Sequence, residues 1–115
     1  MTDCIFCRIA SGEIPAHVVA RNAHAVAFRD LSPQAPTHVL VIPVVHLDSA
    51  AAATGSAGRH LLGEVMALGV EVAASLGLAA EGYRLVVNTG RDGGQSVGHL
   101  HVHLLGGRQM RWPPG

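Results

Sequence analysis

The feature that most constrains this chain is segment 99–105, where three histidines alternate with apolar residues. Side chains of a strand alternate between its two faces, so the imidazoles of His99, His101 and His103 are expected on one face and the apolar residues on the other. A straight strand separates the outer two Cα atoms by roughly 13 Å. A single metal ion, with bonds of about 2 Å to nitrogen, could not easily take all three rings. We therefore expect the histidines to divide the chemistry between them.

The loop before this segment contains Gly93, Gly94, Gln95 and Ser96. Glycines let backbone N–H groups approach an anion closely, although two glycines alone are also typical of a hairpin turn. Beside three histidines, the loop is predicted to bind phosphate. The chain has no Walker or Rossmann glycine pattern and no carboxylate cluster of the kind that magnesium-dependent phosphoryl transfer uses. These observations favour catalysis by imidazole with no metal required.

The length of 115 residues predicts one domain, spanning 1–115, and a hydrophobic fraction of 49% is typical of a globular protein. The formal net charge of zero argues against a nucleic-acid partner, because such binding depends on many phosphate contacts. No apolar run reaches the roughly 18 residues of a membrane span. The first residues lack a basic and apolar leader, so a cytoplasmic location is expected.

Hydrophobic periodicity predicts an α+β fold. The run 37–42 is apolar and rich in β-branched residues, as in a buried central strand. Apolar residues recur at helical spacing after Gly58, and Gly77 is expected to end that helix. With further strands at 17–20, 25–29, 83–87 and the histidine segment, we predict an antiparallel sheet of about five strands, one long helix and a short N-terminal helix.

Cys4 and Cys7 form a single C-x-x-C pair, which is a weak signal. The pair could be a redox couple, half of a zinc site, or two small buried thiols. Zinc would need two further ligands, for which His46 and His99 are candidates. Such a Cys2His2 set suits a closed, structural, tetrahedral site.

The histidine segment, the loop 88–97 and the ending 106–115 (Gly106-Gly107-Arg108, then Trp112-Pro113-Pro114-Gly115) together resemble the histidine triad (HIT) family of nucleotide hydrolases and transferases. The ending resembles the Hint branch. This resemblance implies a HIT-like fold, a homodimer and hydrolysis of purine nucleoside 5′-phosphoramidates, releasing AMP or GMP through a covalent nucleotidyl-histidine. It also implies the zinc-containing bacterial type, with a structural zinc on Cys4, Cys7, His46 and His99.

The resemblance assigns the catalytic roles residue by residue. His101 would be the nucleophile that attacks the α-phosphorus, and His103 would contact the phosphate oxygens. Ser96 would hydrogen-bond the leaving atom, and His38 would complete the ring of imidazoles around the phosphate. His99 would orient His101, ligate zinc, or both. From the residues alone, His38 could equally be a strand-end histidine bonded to a backbone carbonyl.

The resemblance also places the substrate. Asp30 would bind the ribose hydroxyls and Leu31 the base, although Asp30 could instead cap a turn. The remaining substrate-binding positions are Phe6 and Ile14 at the base, and Asn88, Gly94, Gln95, Ser96, His101 and His103 at the phosphate and sugar.

Two other functions stay open at this point. One is a dinucleoside polyphosphate hydrolase, although the Fhit branch that performs this reaction has a different ending. The other is a nucleotide- or zinc-binding regulatory module with incidental turnover.

Overall fold

The computed structural model describes residues 3–115 and confirms the α+β architecture. Its sheet has five strands, and it has one long and one short α-helix, as expected. In chain order the elements are α1 (Ile5–Ala10), β1 (Val18–Arg21), β2 (Ala25–Arg29), β3 (Thr37–Pro43), a short 3₁₀ turn (Ala50–Ala52), α2 (Gly55–Ser75), β4 (Tyr83–Val87) and β5 (Val102–Gly106).

The sheet is antiparallel throughout, with the strand order β1-β2-β3-β5-β4. The apolar strand β3 lies at its centre and is buried from His38 to Pro43. On one side it pairs with β2 and on the other with β5, where Leu40 lies opposite His103. This register brings the histidine segment next to the most buried strand of the protein.

Two apolar clusters cover the two faces of the sheet. The face under α2 is packed by alternate strand residues, including Val39, Val41, Val102 and Leu104, together with Val65 and Val72 of the helix. The opposite face packs against α1 through Phe6, Ile9, Val26, Phe28, Leu40 and Ile42. The alternation predicted for the histidine segment is confirmed, because its apolar residues Leu100, Val102 and Leu104 all belong to the first cluster.

The regular part of the histidine segment is shorter than the sequence pattern predicts. β5 begins only at Val102, so His99 and His101 precede the paired strand. The backbone N–H of Leu100 donates to the carbonyl of Leu47, at 2.7 Å. It therefore does not form a hydrogen bond with a neighbouring strand of the sheet. The first two imidazoles are therefore positioned by a loop contact and the third by the sheet.

The long helix begins at Gly55, three residues before the predicted start, and ends close to the predicted stop. Gly77 has a φ of +76°, which glycine adopts without strain, and it follows the last helical turn. A side chain at Gly58 would run into the backbone of Ala53, so this glycine lets the helix start against the preceding turn. Between residues 3 and 115, neither helix is both long and apolar enough to cross a membrane.

Candidate active site and Cys–His cluster

A cleft of about 270 Å³ opens on the face of the sheet that carries α1. His101 and His103 lie in it, together with Ser96. Its other walls are mainly apolar, as is typical of pockets that bind small molecules. The apolar walls include Phe6, Ile9, Ile14, Phe28, Leu31 and Leu40. Of the residues predicted to bind the base, Phe6, Ile14 and Leu31 are thus brought together.

The ring of His101 is held in one tautomer. Its Nδ1 lies 2.8 Å from the backbone carbonyl oxygen of His99, an atom that can only accept. Nδ1 must therefore hold the proton, and Nε2 is left with an available lone pair. His101 is buried and lines the cleft, so the neutral ring has its Nε2 lone pair available to a bound molecule.

His38 and His103 form a directed hydrogen-bond chain. The backbone N–H of Gln34 donates to Nδ1 of His38 at 3.0 Å, so His38 must hold its proton on Nε2. That Nε2 lies 2.9 Å from Nδ1 of His103 and donates to it. The proton of His103 therefore resides on Nε2, where it can be donated to an anion. We call His38, His101 and His103 the cleft imidazoles; His101 and His103 line the cleft, whereas His38 does not line it and acts through its hydrogen bond to His103.

The surroundings keep two of these rings neutral. Burial lowers the pKa of His38, an effect that the nearby carboxylate of Asp30 only partly opposes. Burial, together with His101 and His38, lowers the pKa of His103 to about 4. At neutral pH both rings are uncharged, as the hydrogen-bond chain requires.

Asp30 and Leu31 lie at the rim of the cleft. One carboxylate oxygen of Asp30 accepts the backbone N–H of Ser32 at 2.7 Å, and the other lies 3.6 Å from Nε2 of His38. The side chain of Asp30 thus caps a turn and also faces the cleft. Leu31 is 99% exposed, so a bound molecule could cover it.

The loop 88–98 is organised by its own side chains. Asn88 donates from its side chain to the carbonyl of Gly93 at 2.7 Å. The Gln95 amide oxygen accepts the N–H of Gly90, and its nitrogen donates to the carbonyls of Val97 and Asp48. Ser96 is the member of this loop's predicted set that lines the cleft, whereas Asn88 and Gln95 use their side chains to shape the loop.

Cys4, Cys7, His46 and His99 converge at the other end of the histidine segment. We call these four residues the Cys–His cluster; their ligand atoms all lie within 4.8 Å of one another. Nδ1 of His99 is 3.2 Å from Sγ of Cys4, 3.5 Å from Sγ of Cys7 and 3.1 Å from Nδ1 of His46. The structure therefore brings together the whole predicted metal set.

The donor chemistry of this cluster fits a metal ion. Nε2 of His99 lies 3.0 Å from the carbonyl of Pro43, and Nε2 of His46 lies 2.7 Å from a carboxylate oxygen of Asp48. Both Nε2 atoms hold protons, so both Nδ1 lone pairs point at the centre of the cluster. Ligand atoms around tetrahedral zinc are about 3.3–3.8 Å apart, close to the spacing found here.

The electrostatics of the cluster agree with this arrangement. Burial raises the pKa of Cys4, but hydrogen bonds from Cys7 and His46 outweigh it and lower the pKa overall. The hydrogen bond to Asp48 raises the pKa of His46, while burial lowers the pKa of His99. A thiol with a lowered pKa supplies the thiolate that metal binding requires.

Phe6 separates the two groups of rings. Its edge-to-face contacts reach His99 at 5.9 Å and His101 at 5.3 Å between ring centroids. His99 has no exposed surface, so its ring serves the Cys–His cluster while its carbonyl holds His101. The two groups thus share one backbone segment, and Phe6 contacts one ring of each.

The sequence reasoning missed the partners that fix the rings. Asp48, Gln34 and the carbonyl of Pro43 each bond one imidazole nitrogen and so decide where its proton lies. Asp48 could have been suspected, since an acidic residue two positions after a proposed histidine ligand is a common outer partner. The backbone groups leave no signal in the sequence.

Comparison with known proteins gives a consistent family assignment. The HIT domain matches residues 11–110. A 14 kDa zinc-binding protein of Zea mays is 50% identical over 113 residues, covering 96% of this chain and 87% of that protein. The adenylylsulfatase HINT1 of Arabidopsis thaliana is 49% identical over 113 residues, covering 96% of this chain and 76% of that protein.

A solved structure shows the same fold. The crystal structure of a HIT family hydrolase from Legionella pneumophila superposes with a TM-score of 0.93 and 49% sequence identity. The match covers 98% of this chain and 100% of that one.

Proposed function

The chain belongs to the HIT domain family, and from this membership we propose that it is a nucleotide hydrolase acting on purine nucleoside 5′-phosphoramidates. The products would be AMP or GMP and a free amine. The observation that best supports this proposal is the fixed tautomer of His101, whose unprotonated Nε2 faces the cleft beside a hydrogen-bond donor on His103.

In the proposed reaction, Nε2 of His101 attacks the α-phosphorus of the substrate. A phosphorus–nitrogen bond to His101 forms, and the bond to the leaving amine breaks. The leaving amine takes up the proton of the Ser96 hydroxyl at the cleft wall, and the water that later cleaves the intermediate returns a proton to that oxygen. Water then cleaves the nucleotidyl-histidine and returns His101 to its starting tautomer.

The remaining groups of the cleft would bind the nucleotide. The Nε2–H of His103 is aimed to donate to a non-bridging phosphate oxygen, where negative charge builds up during attack. The carboxylate of Asp30 would accept from the ribose hydroxyls, and Phe6, Ile14 and Leu31 would cover the base. Gly94, Gln95 and Asn88 would support the phosphate side through the backbone of loop 88–98.

A sulfate leaving group is a second candidate. The relative from Arabidopsis thaliana is named an adenylylsulfatase, and attack at the same α-phosphorus would release sulfate in place of an amine. The nucleotidyl-histidine step is common to both substrates, so the choice between them depends only on the leaving-group side of the cleft.

We further propose that the Cys–His cluster binds one structural zinc ion. The four converging lone-pair donors and the zinc-binding relative from Zea mays support this. When bound, zinc would supply a crosslink between the N-terminal α1 and the histidine segment. Because none of the four cluster residues lines the cleft, the reaction is proposed to depend on imidazole alone.

A homodimer in the cytoplasm, with no nucleic-acid or membrane partner, completes the proposal. The edge strand β4 pairs on one side only among residues 3–115, so its outer backbone groups could extend the sheet into a second copy. Sedimentation equilibrium at several concentrations measures this directly, and a mass of one chain at every concentration would contradict it.

The deciding experiment measures AMP release from adenosine 5′-phosphoramidate by the wild-type protein and by His101→Ala. We expect His101→Ala to lose about 10⁴-fold in kcat, as is usual when a covalent nucleophile is removed. Adenylyl sulfate and diadenosine polyphosphates are tested in parallel to rank the leaving groups. A trapped wild-type protein should gain the mass of one nucleotidyl group, and His101→Ala should not.

The matched control is His60→Ala, which removes an exposed histidine of α2, on the face of the sheet opposite the cleft. It should keep wild-type kcat, and His101→Ala, which loses a buried imidazole, should still unfold cooperatively and above the assay temperature. Retention of more than about a tenth of the activity in His101→Ala would overturn the covalent mechanism. Wild-type protein that turns over none of the three substrates would favour the binding-module alternative.

A further inference from the structure

A second group of side chains that could hold a metal ion lies outside the Cys–His cluster and the proposed active site. His24 is in the turn between β1 and β2, while His60 and Glu64 are on α2. This helix packs on the face of the sheet opposite α1 and the cleft. Nothing in the proposed reaction or in the Cys–His cluster uses these three residues, although their ligand atoms all lie within 4.8 Å of one another.

The spacing of the three side chains is wider than a hydrogen bond. Nε2 of His60 lies 3.9 Å from a carboxylate oxygen of Glu64, beyond the reach of a direct hydrogen bond. Two ligand atoms on one divalent zinc ion are separated by about 3.3–3.5 Å. The rings of His24 and His60 meet edge to face, with centroids 4.7 Å apart. A small rotation of these exposed side chains would bring all three ligand atoms to one ion.

The backbone under each ligand is already fixed. The N–H of His24 donates to the side chain of Asn22 at 2.8 Å, and its carbonyl accepts from Val44 at 2.9 Å. His60 and Glu64 are four residues apart on a helix, which places them on the same side. Little backbone ordering is therefore needed for binding, and side-chain rotation is the main entropic cost.

We propose that His24, His60 and Glu64 form a second, exchangeable site for a divalent transition-metal ion such as Zn²⁺. Two imidazole nitrogens and one carboxylate oxygen are a donor set that zinc accepts, with water completing the coordination. His60 is 55% exposed and Glu64 31%, so the ion would be reached directly from solvent. Binding would connect the β1–β2 turn to α2 and stabilise the folded protein.

The test is a calorimetric titration with ZnSO₄ of wild-type protein that already holds zinc in the Cys–His cluster and has been freed of loosely bound metal. We expect one further equivalent to bind, with a matching rise in melting temperature as free zinc increases. We expect the affinity for this further zinc ion to fall about tenfold or more in each of three variants, His24→Ala, His60→Ala and Glu64→Gln. The imidazole Hε1 NMR signals of His24 and His60 should shift in step with the same binding curve.

Two controls distinguish zinc binding at this site from zinc binding elsewhere on the protein. His17→Ala removes an exposed histidine outside the group and should leave the further equivalent unchanged. The double variant Cys4→Ser/Cys7→Ser should lose the zinc of the Cys–His cluster while keeping the solvent-facing equivalent. The proposal is overturned if wild-type protein binds no further zinc ion. It is also overturned if His24→Ala and His60→Ala bind that ion with the same affinity as the wild type.

Discussion

The Cys–His cluster and the cleft imidazoles use the same side chain for different purposes. In the cluster, His46 and His99 hold their protons on the outer nitrogen, against Asp48 and the Pro43 carbonyl, so two lone pairs converge. In the cleft, His38 donates to His103 and His101 donates to the His99 carbonyl, which leaves one lone pair on His101 and one N–H on His103. The partner of the second ring nitrogen therefore decides whether a histidine is suited to a metal or to a phosphate.

The largest expected effect comes from removing the thiolates of the Cys–His cluster, which tests whether zinc binding and catalysis are separate. Cys4→Ser/Cys7→Ser should reduce bound zinc from about one ion per chain to near zero by elemental analysis. At free zinc about a thousandfold above Kd, the loss of zinc binding should lower the free energy of unfolding by about 4 kcal/mol. Well below its melting temperature, the variant should keep kcat within about tenfold of wild type. His101→Ala should show the reverse pattern, with zinc kept and activity lost.

Two results would contradict this separation. Wild-type protein refolded with zinc and holding well under one ion per chain would rule out the metal assignment. If the double variant instead retained its fold and lost as much activity as His101→Ala, the cluster would take part in the chemistry.

The lowered pKa of His103 in the cleft predicts how the stability of the protein depends on pH. An unfolded histidine protonates near pH 6.5, whereas folded His103 has a pKa of about 4. Between these values the unfolded state binds more protons, so the stability contributed by neutral His103 is present above pH 6.5 and is lost as the pH falls toward 4. The shift corresponds to roughly 3 kcal/mol. Urea unfolding of wild type and His103→Asn from pH 7 to pH 4 should show the smaller loss in the variant.

The lowered pKa of His103 can also be measured directly by NMR, from the signal of one ring proton. In zinc-loaded protein, the Hε1 signal of His103 should titrate well below the ordinary histidine range. A midpoint at or above pH 6.5 would mean that burial does not keep this ring neutral, and the hydrogen-bond chain from Gln34 would have to be reassigned.

The smallest expected effect concerns Gln95, whose side chain connects the two regions. It bonds Gly90 and Val97 within the loop 88–98 and the carbonyl of Asp48, the partner of His46. Gln95→Ala should lower the free energy of unfolding by about 1 kcal/mol, and zinc affinity and kcat should fall together. Gln109→Ala is the matched control, since that amide donates only to the neighbouring Met110 carbonyl. If the two variants had the same stability, zinc affinity and kcat, the Gln95 side chain would not connect the cluster with the cleft.

Much of this architecture could be predicted from sequence patterns that have a direct physical cause. The β-branched run of β3, the helical spacing of α2 and the alternation around the histidines all reflect burial, which hydrophobic patterns report well. The early end of the paired strand could not be predicted, because it depends on a bond between Leu100 and Leu47. The chemical set of the Cys–His cluster followed from residue types and family resemblance, but its tautomers depend on backbone carbonyls that every residue possesses.

The long sequence separation within the Cys–His cluster has a consequence for biosynthesis. Cys4 and His99 are 95 positions apart, so their contact closes a loop of nearly the whole chain. During translation the two thiols leave the ribosome long before His99 and His101 are made. The four ligands of the Cys–His cluster can therefore meet only after His99 has been made. Because His99 and His101 are two residues apart, the metal set and the nucleophile are completed at the same late stage of synthesis.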